Sequence, residues 1–90
     1  MQIRIAHTLG VEEARGRIES AAREHDVSIE TAADGISGVL EKAAPFVGKV
    51  RARYDIREDE LALEVIDRPK LLPEATLRRM LEQELARFLR

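Results

Sequence analysis

The side chains best suited to chemistry in this chain are two histidines, His7 and His25. His7 falls in phase with Ile3 and Ile5, so its ring belongs to the apolar side of a strand. An imidazole there could move a proton near neutral pH. General acid–base work also needs a carboxylate or hydroxyl within hydrogen-bond reach in a cleft, and the local sequence announces none. His7 therefore reads as a structural histidine. His25 closes a helical pattern, where a cation beside the last carbonyls is mildly favourable. The pair lacks the His-x-x-x-His or His-Asp spacing of a metal site. The chain has no cysteine, which removes thiolate nucleophiles, disulfides and Cys-type zinc sites. Ser20, Ser28 and Ser37 lie outside any Gly-x-Ser-x-Gly elbow. Asp34-Gly35-Ile36-Ser37-Gly38 carries glycines without the spacing and lysine of a phosphate loop, and reads as a hairpin turn. Glu12/Glu13 and Glu58/Asp59/Glu60 occupy a helix start and a turn, where carboxylates are solvated. No catalytic, cofactor-binding or metal-binding residue is assigned, and a non-enzymatic protein without a cofactor is expected.

Lys49, Arg51 and Arg53 share one face of an alternating segment, with Arg4 as an extension. Such a row could hold phosphate or RNA. The only tyrosine, Tyr54, points to the opposite face, so no ring is available to stack a base. Lys and Arg number 15 against 17 Asp and Glu, for a net charge of -2. That balance supplies no strong field for nucleic acid or an anionic membrane. The row is expected to be solvated, with Glu41 and Glu64 as cross-strand partners; its other use is self-association.

The elements that position these residues follow from periodicity. Residues 2–8 alternate as a strand with one buried face. From about 10 to 25, Val11, Ala14, Ile18 and Ala21/Ala22 recur at helical spacing. Glu12 and Glu13 suit the start of that helix and Arg23 its end; Glu19 and Arg23 are placed for an i,i+4 pair. Gly16, costly inside a helix, suggests close packing on a sheet. Val27, Ile29 and Thr31 alternate, Asp34-Gly35 turns the chain, and 36–42 is a strand weakened by Gly38. Val50, Ala52, Tyr54 and Ile56 alternate with charged residues, as in an antiparallel sheet open to water on one side. Leu61, Leu63 and Val65 mark the last strand. Leu77, Met80/Leu81, Leu85 and Phe88 form the stripe of a C-terminal helix started by Pro73.

The expected fold is therefore a single two-layer α+β domain over residues 1–90: strand, helix, four-strand antiparallel meander, helix, with strand one beside strand five and the sheet packed against the helices. No apolar run approaches the ~20 residues of a spanning helix, the N-terminus lacks a signal-peptide pattern, and a cytoplasmic location is the default. So small a core gains from subunit burial, and a homodimer is consistent with that. The meander puts the turn at 44–48 and the connector at 67–73 at one end of the sheet. Both are apolar where connectors are usually polar. They either close the core or form a contact patch, and Pro45, Phe46, Val47, Leu71 and Leu72 are the candidate partner-contact residues. A small-ligand pocket between the sheet and the C-terminal helix is the alternative use of this architecture.

Several segments resemble one family across nearly the whole chain. They are His7-x-Leu9-Gly10-x-x-Glu13-Ala14-Arg15-x-Arg17-Ile18-Glu19, Gly38-x-Leu40, Ala44-Pro45-Phe46-Val47-Gly48-x-Val50, the strand pair ending at Val65, and Leu81-Glu82-x-Glu84-Leu85. Together they resemble the polyhydroxyalkanoic acid system protein family of short bacterial proteins. The resemblance implies an association with polyester storage granules, through the polyhydroxyalkanoate granule itself or a granule-associated protein. It implies no enzymatic activity and carries over no catalytic residue.

Overall fold

Alternating residues become five antiparallel strands, and the two helical patterns cover one side of them. The computed structural model describes residues 1–44 and 48–89. In chain order the elements are β1 (Gln2–Ala6), α1 (Gly10–Glu24), β2 (Ser28–Thr31), β3 (Ser37–Ala44), β4 (Gly48–Ile56), β5 (Glu60–Asp67) and α2 (Glu74–Phe88). The spatial order is β1-β5-β4-β3-β2, the expected meander with β1 beside β5. β3 runs two residues beyond its expected end, because β4 is long enough to keep pairing with it at Ala43 and Ala44.

The register sorts side chains into two faces. Ile3, Leu63, Tyr54, Gly38 and Thr31 form one row across all five strands on the core side. Ile5, Leu61 and Ile56 form the next. Ala14 and Ile18 of α1 and Leu77 of α2 close over these rows, with Leu89 just past α2, and Leu81 and Leu85 pack against the same cluster. Ile3, Ile56 and Leu61 are the largest fully buried side chains, each worth about 1.5–3 kcal/mol of burial.

The row through Tyr54 depends on Gly38. A Cβ at Gly38 would lie 2.2 Å from the Glu30 carbonyl oxygen and 2.8 Å from the Tyr54 hydroxyl. The glycine expected only to weaken β3 is instead the space that lets Tyr54 lie across β3 and reach Thr31, whose hydroxyl is 3.2 Å from the Tyr54 oxygen. Aromatic cover of a strand glycine is a known device for pinning register.

The ends of α1 are tied by different means. At its C-terminus Asp26 adopts φ 58°, the Val27 N–H donates to the Ala22 carbonyl and the Asp26 N–H to that of Arg23. That is a Schellman closure with Asp in the left-handed position. Two local expectations need correction. Gly16 is exposed with nothing near its α-carbon's open side, so it makes no close packing. Glu19 pairs with Arg15 at 3.8 Å rather than with Arg23, whose guanidinium donates to Ser20 Oγ.

Candidate functional site: the apolar end and the open face of the sheet

The connector after β5 folds into a tight turn. The Leu72 N–H donates to the Pro69 carbonyl at 3.1 Å, and Arg68 Nη1 holds the Leu72 carbonyl at 3.0 Å. This geometry splits the two leucines. Leu72 is half-buried and packs against the core cluster, whereas Leu71 is 85% exposed. Pro69 is buried. A Cβ built on Gly48 would lie 3.7 Å from its ring, which places the start of β4 and this connector in one corner. Pro45, Phe46 and Val47 lie outside the described residues. A surface groove of about 400 Å³ adjoins the connector, lined by Met1, Val65, Ile66, Asp67, Arg68 and Glu74.

The space between sheet and α2 is filled by side chains. Leu77 and Leu89 are 3% exposed, and Leu81 and Leu85 lie on the cluster holding Tyr54 and Leu63.

His7 is 6% exposed and stands where β1 hands over to α1. Its backbone N–H donates to the Asp59 carbonyl at 2.9 Å, and its Nδ1 accepts the Leu9 N–H at 3.2 Å. Because Nδ1 is an acceptor, the neutral ring carries its hydrogen on Nε2. That atom is buried without a partner among the described residues. The ring thereby satisfies the backbone N–H of Leu9, the N-cap residue of α1, which makes no side-chain cap of its own. His25 is exposed at the end of α1, edge-on to Phe88 with ring centroids 5.3 Å apart. Among the described residues no cluster of three or more metal-ligating side chains occurs, and no helix is long and apolar enough to cross a membrane.

Asp34 shapes the β2–β3 turn. Its carboxylate accepts the N–H groups of Ile36 and Ser37 at 3.0 and 3.1 Å and the Ser37 hydroxyl as well. These bonds, led by that from Ile36, hold its pKa below the ordinary 3.8. Gly35 supplies φ +75°, the conformation an Asp-Gly turn requires.

The solvent side of the sheet carries the basic row. Lys49 and Arg51 reach Glu41 at 3.3 and 3.9 Å, and Arg4 reaches Glu60 at 3.7 Å. Arg57 bridges Asp55 and Glu60, both at 3.3 Å. Glu41 thus acts as the expected cross-strand partner. Glu64 does not: it stands opposite Arg53 in register, yet neither side chain makes an ion pair or hydrogen bond among the described residues. Between them and Arg4, above the small side chains of Ala62 and Ser37, lies a shallow groove of about 340 Å³. Alternation made the basic row visible in the sequence; which of its charges stay unpaired depends on side-chain reach across strands. The chain matches no family model, no curated protein and no solved structure.

Proposed function

We propose that this chain is a small, non-enzymatic, cytoplasmic accessory protein that docks on the polyester surface of a polyhydroxyalkanoate granule and works as a homodimer. The granule comes from the family its sequence resembles. The observation that supports a docking role is Leu71, 85% exposed in the connector whose Pro69 packs beside Gly48 at the start of β4. A turn residue in water is ordinarily polar. A leucine held outward by the backbone bonds of Pro69–Leu72 contributes nothing to the core and is available to an apolar surface.

Burying a leucine side chain is worth about 1.5–3 kcal/mol, or about 10- to 150-fold in affinity. Co-sedimentation with purified granules stripped of native protein tests the reading. Wild type is expected in the pellet, and Leu71→Asp is expected to lose at least tenfold in affinity. Phe46→Asp probes the connector at 44–48. Equal binding by wild type and Leu71→Asp removes this surface. Binding only to granules that keep their protein coat moves the contact to a granule-associated protein.

A further inference from the structure

We infer that the open sheet face is the interface between two copies of this chain, stacked about a two-fold axis that runs along the strands between β4 and β5. The inference rests on the reading that the chain is a dimer and names the surface it uses.

Strand register decides which charges a second copy would meet. Three rows cross the open face: Gln2–Glu64–Arg53–Val39–Glu30, Arg4–Ala62–Asp55–Ser37 and Asp67–Arg51–Glu41–Ser28. Face-to-face sheets pack with strands nearly aligned and about 10 Å apart. A two-fold axis along the strands sets each row against itself and exchanges strands across the axis. Placed over β4, the axis sets Arg53 against Arg53. Placed over β5, it sets Glu64 against Glu64. Between β3 and β4 it sets Glu64 against Glu30, and between β1 and β5 it leaves Arg53 uncovered. The first three placements oppose like charges, which disfavours association, and the fourth leaves a charge without a partner.

Between β4 and β5 the outcome reverses. Glu64 of each copy lies over Arg53 of the other, and Asp67 over Arg51. Arg4 faces Ser37, and Ala62 faces Asp55. No like charges meet. The central pair is the one left unused within a chain, while Arg4, Arg57, Lys49 and Arg51 at the margins already hold carboxylates. The groove over Ala62 and Ser37 gives long side chains of a second copy room to enter. The mixture of signs also argues against a polyanion as the occupant, since such a ligand would meet Glu64 and Asp55 along with the arginines.

Mass measurement by light scattering on single and mixed variants tests this. Wild type is expected at twice the 10.2 kDa chain mass. Arg53→Glu and Glu64→Arg are each expected at the mass of one chain, because each sets like charges across the axis. Mixed in equal amounts, they are expected to recover the dimer mass, since a heterodimer restores opposite charge at both central contacts. An internal Arg53–Glu64 pair cannot produce that recovery. If Arg53→Glu fails to fold, Arg53→Gln adds no charge and is expected to raise the dimer dissociation constant about tenfold or more. Monomeric wild type overturns the dimer reading itself. Dimeric single variants, or a mixture that stays monomeric, overturn this interface alone.

Discussion

Replacing Gly38 with alanine adds one methyl group at the most crowded point of the sheet. That methyl carbon would stand 2.2 Å from the Glu30 carbonyl oxygen and 2.9 Å from Tyr54 Cε1, where real Cβ contacts stay beyond 3.0 Å. The Glu30 carbonyl is backbone of the β2–β3 pair, so relief requires β2 to move away or Tyr54, 3% exposed, to leave its seat. Overpacking of this kind costs about 1–3 kcal/mol. Losing the Tyr54–Thr31 hydrogen bond adds about 0.5–1.5 kcal/mol. The smaller entropy of the unfolded alanine chain returns about 0.4–1 kcal/mol. The net expectation is a loss of about 2 kcal/mol, a large fraction of the roughly 5–13 kcal/mol that a domain of this length possesses. Urea denaturation measures it. The chain has one tyrosine and no tryptophan, so tyrosine fluorescence follows the displaced ring directly. Gly38→Ala combined with Tyr54→Leu is expected to cost less than the sum of the single changes, because the shorter side chain vacates the contested space. A Gly38→Ala protein within 0.5 kcal/mol of wild type, with unchanged tyrosine emission, would refute the reasoning.

Two further outcomes follow from local geometry. Gly16→Ala is expected to stabilise the chain by about 0.5–1 kcal/mol, since the site is helical, exposed and open to a methyl group; thermal melting checks the sign. Asp34 has a folded pKa below its ordinary 3.8, chiefly through the Ile36 N–H. The stabilisation is therefore complete above pH 3.8 and is lost as the pH falls through the lower folded value. Asp34→Ala should weaken the β2–β3 turn at neutral pH and converge with wild type in acid, which denaturant titrations at several pH values will show.

Much of the architecture was legible because single-residue alternation and Asp-Gly or Pro punctuation act locally. Val50, Ala52, Tyr54 and Ile56 mark β4's buried face without reference to any other strand, and short turns leave little choice but an antiparallel meander. What escaped the sequence depends on pairing across strands. Gly38 looks like a weakness until the register sets it beside Tyr54. Glu64 looks like a partner for Arg53 by position, yet the two side chains do not meet. Gly16 carried a packing signal that its outward angle on α1 cancels. At the apolar end, composition marked Leu71 and Leu72 equally; only the backbone turn from Pro69 sends Leu72 inward and Leu71 to solvent.

The most direct test of docking through the apolar end is amide hydrogen exchange on the protein with and without stripped polyester granules. Slowed exchange at Lys70–Leu72 is expected on binding, with no change along the central residues of β4 and β5. Protection of those strands with the connector unaffected, or no protection anywhere in granule-bound protein, would contradict it.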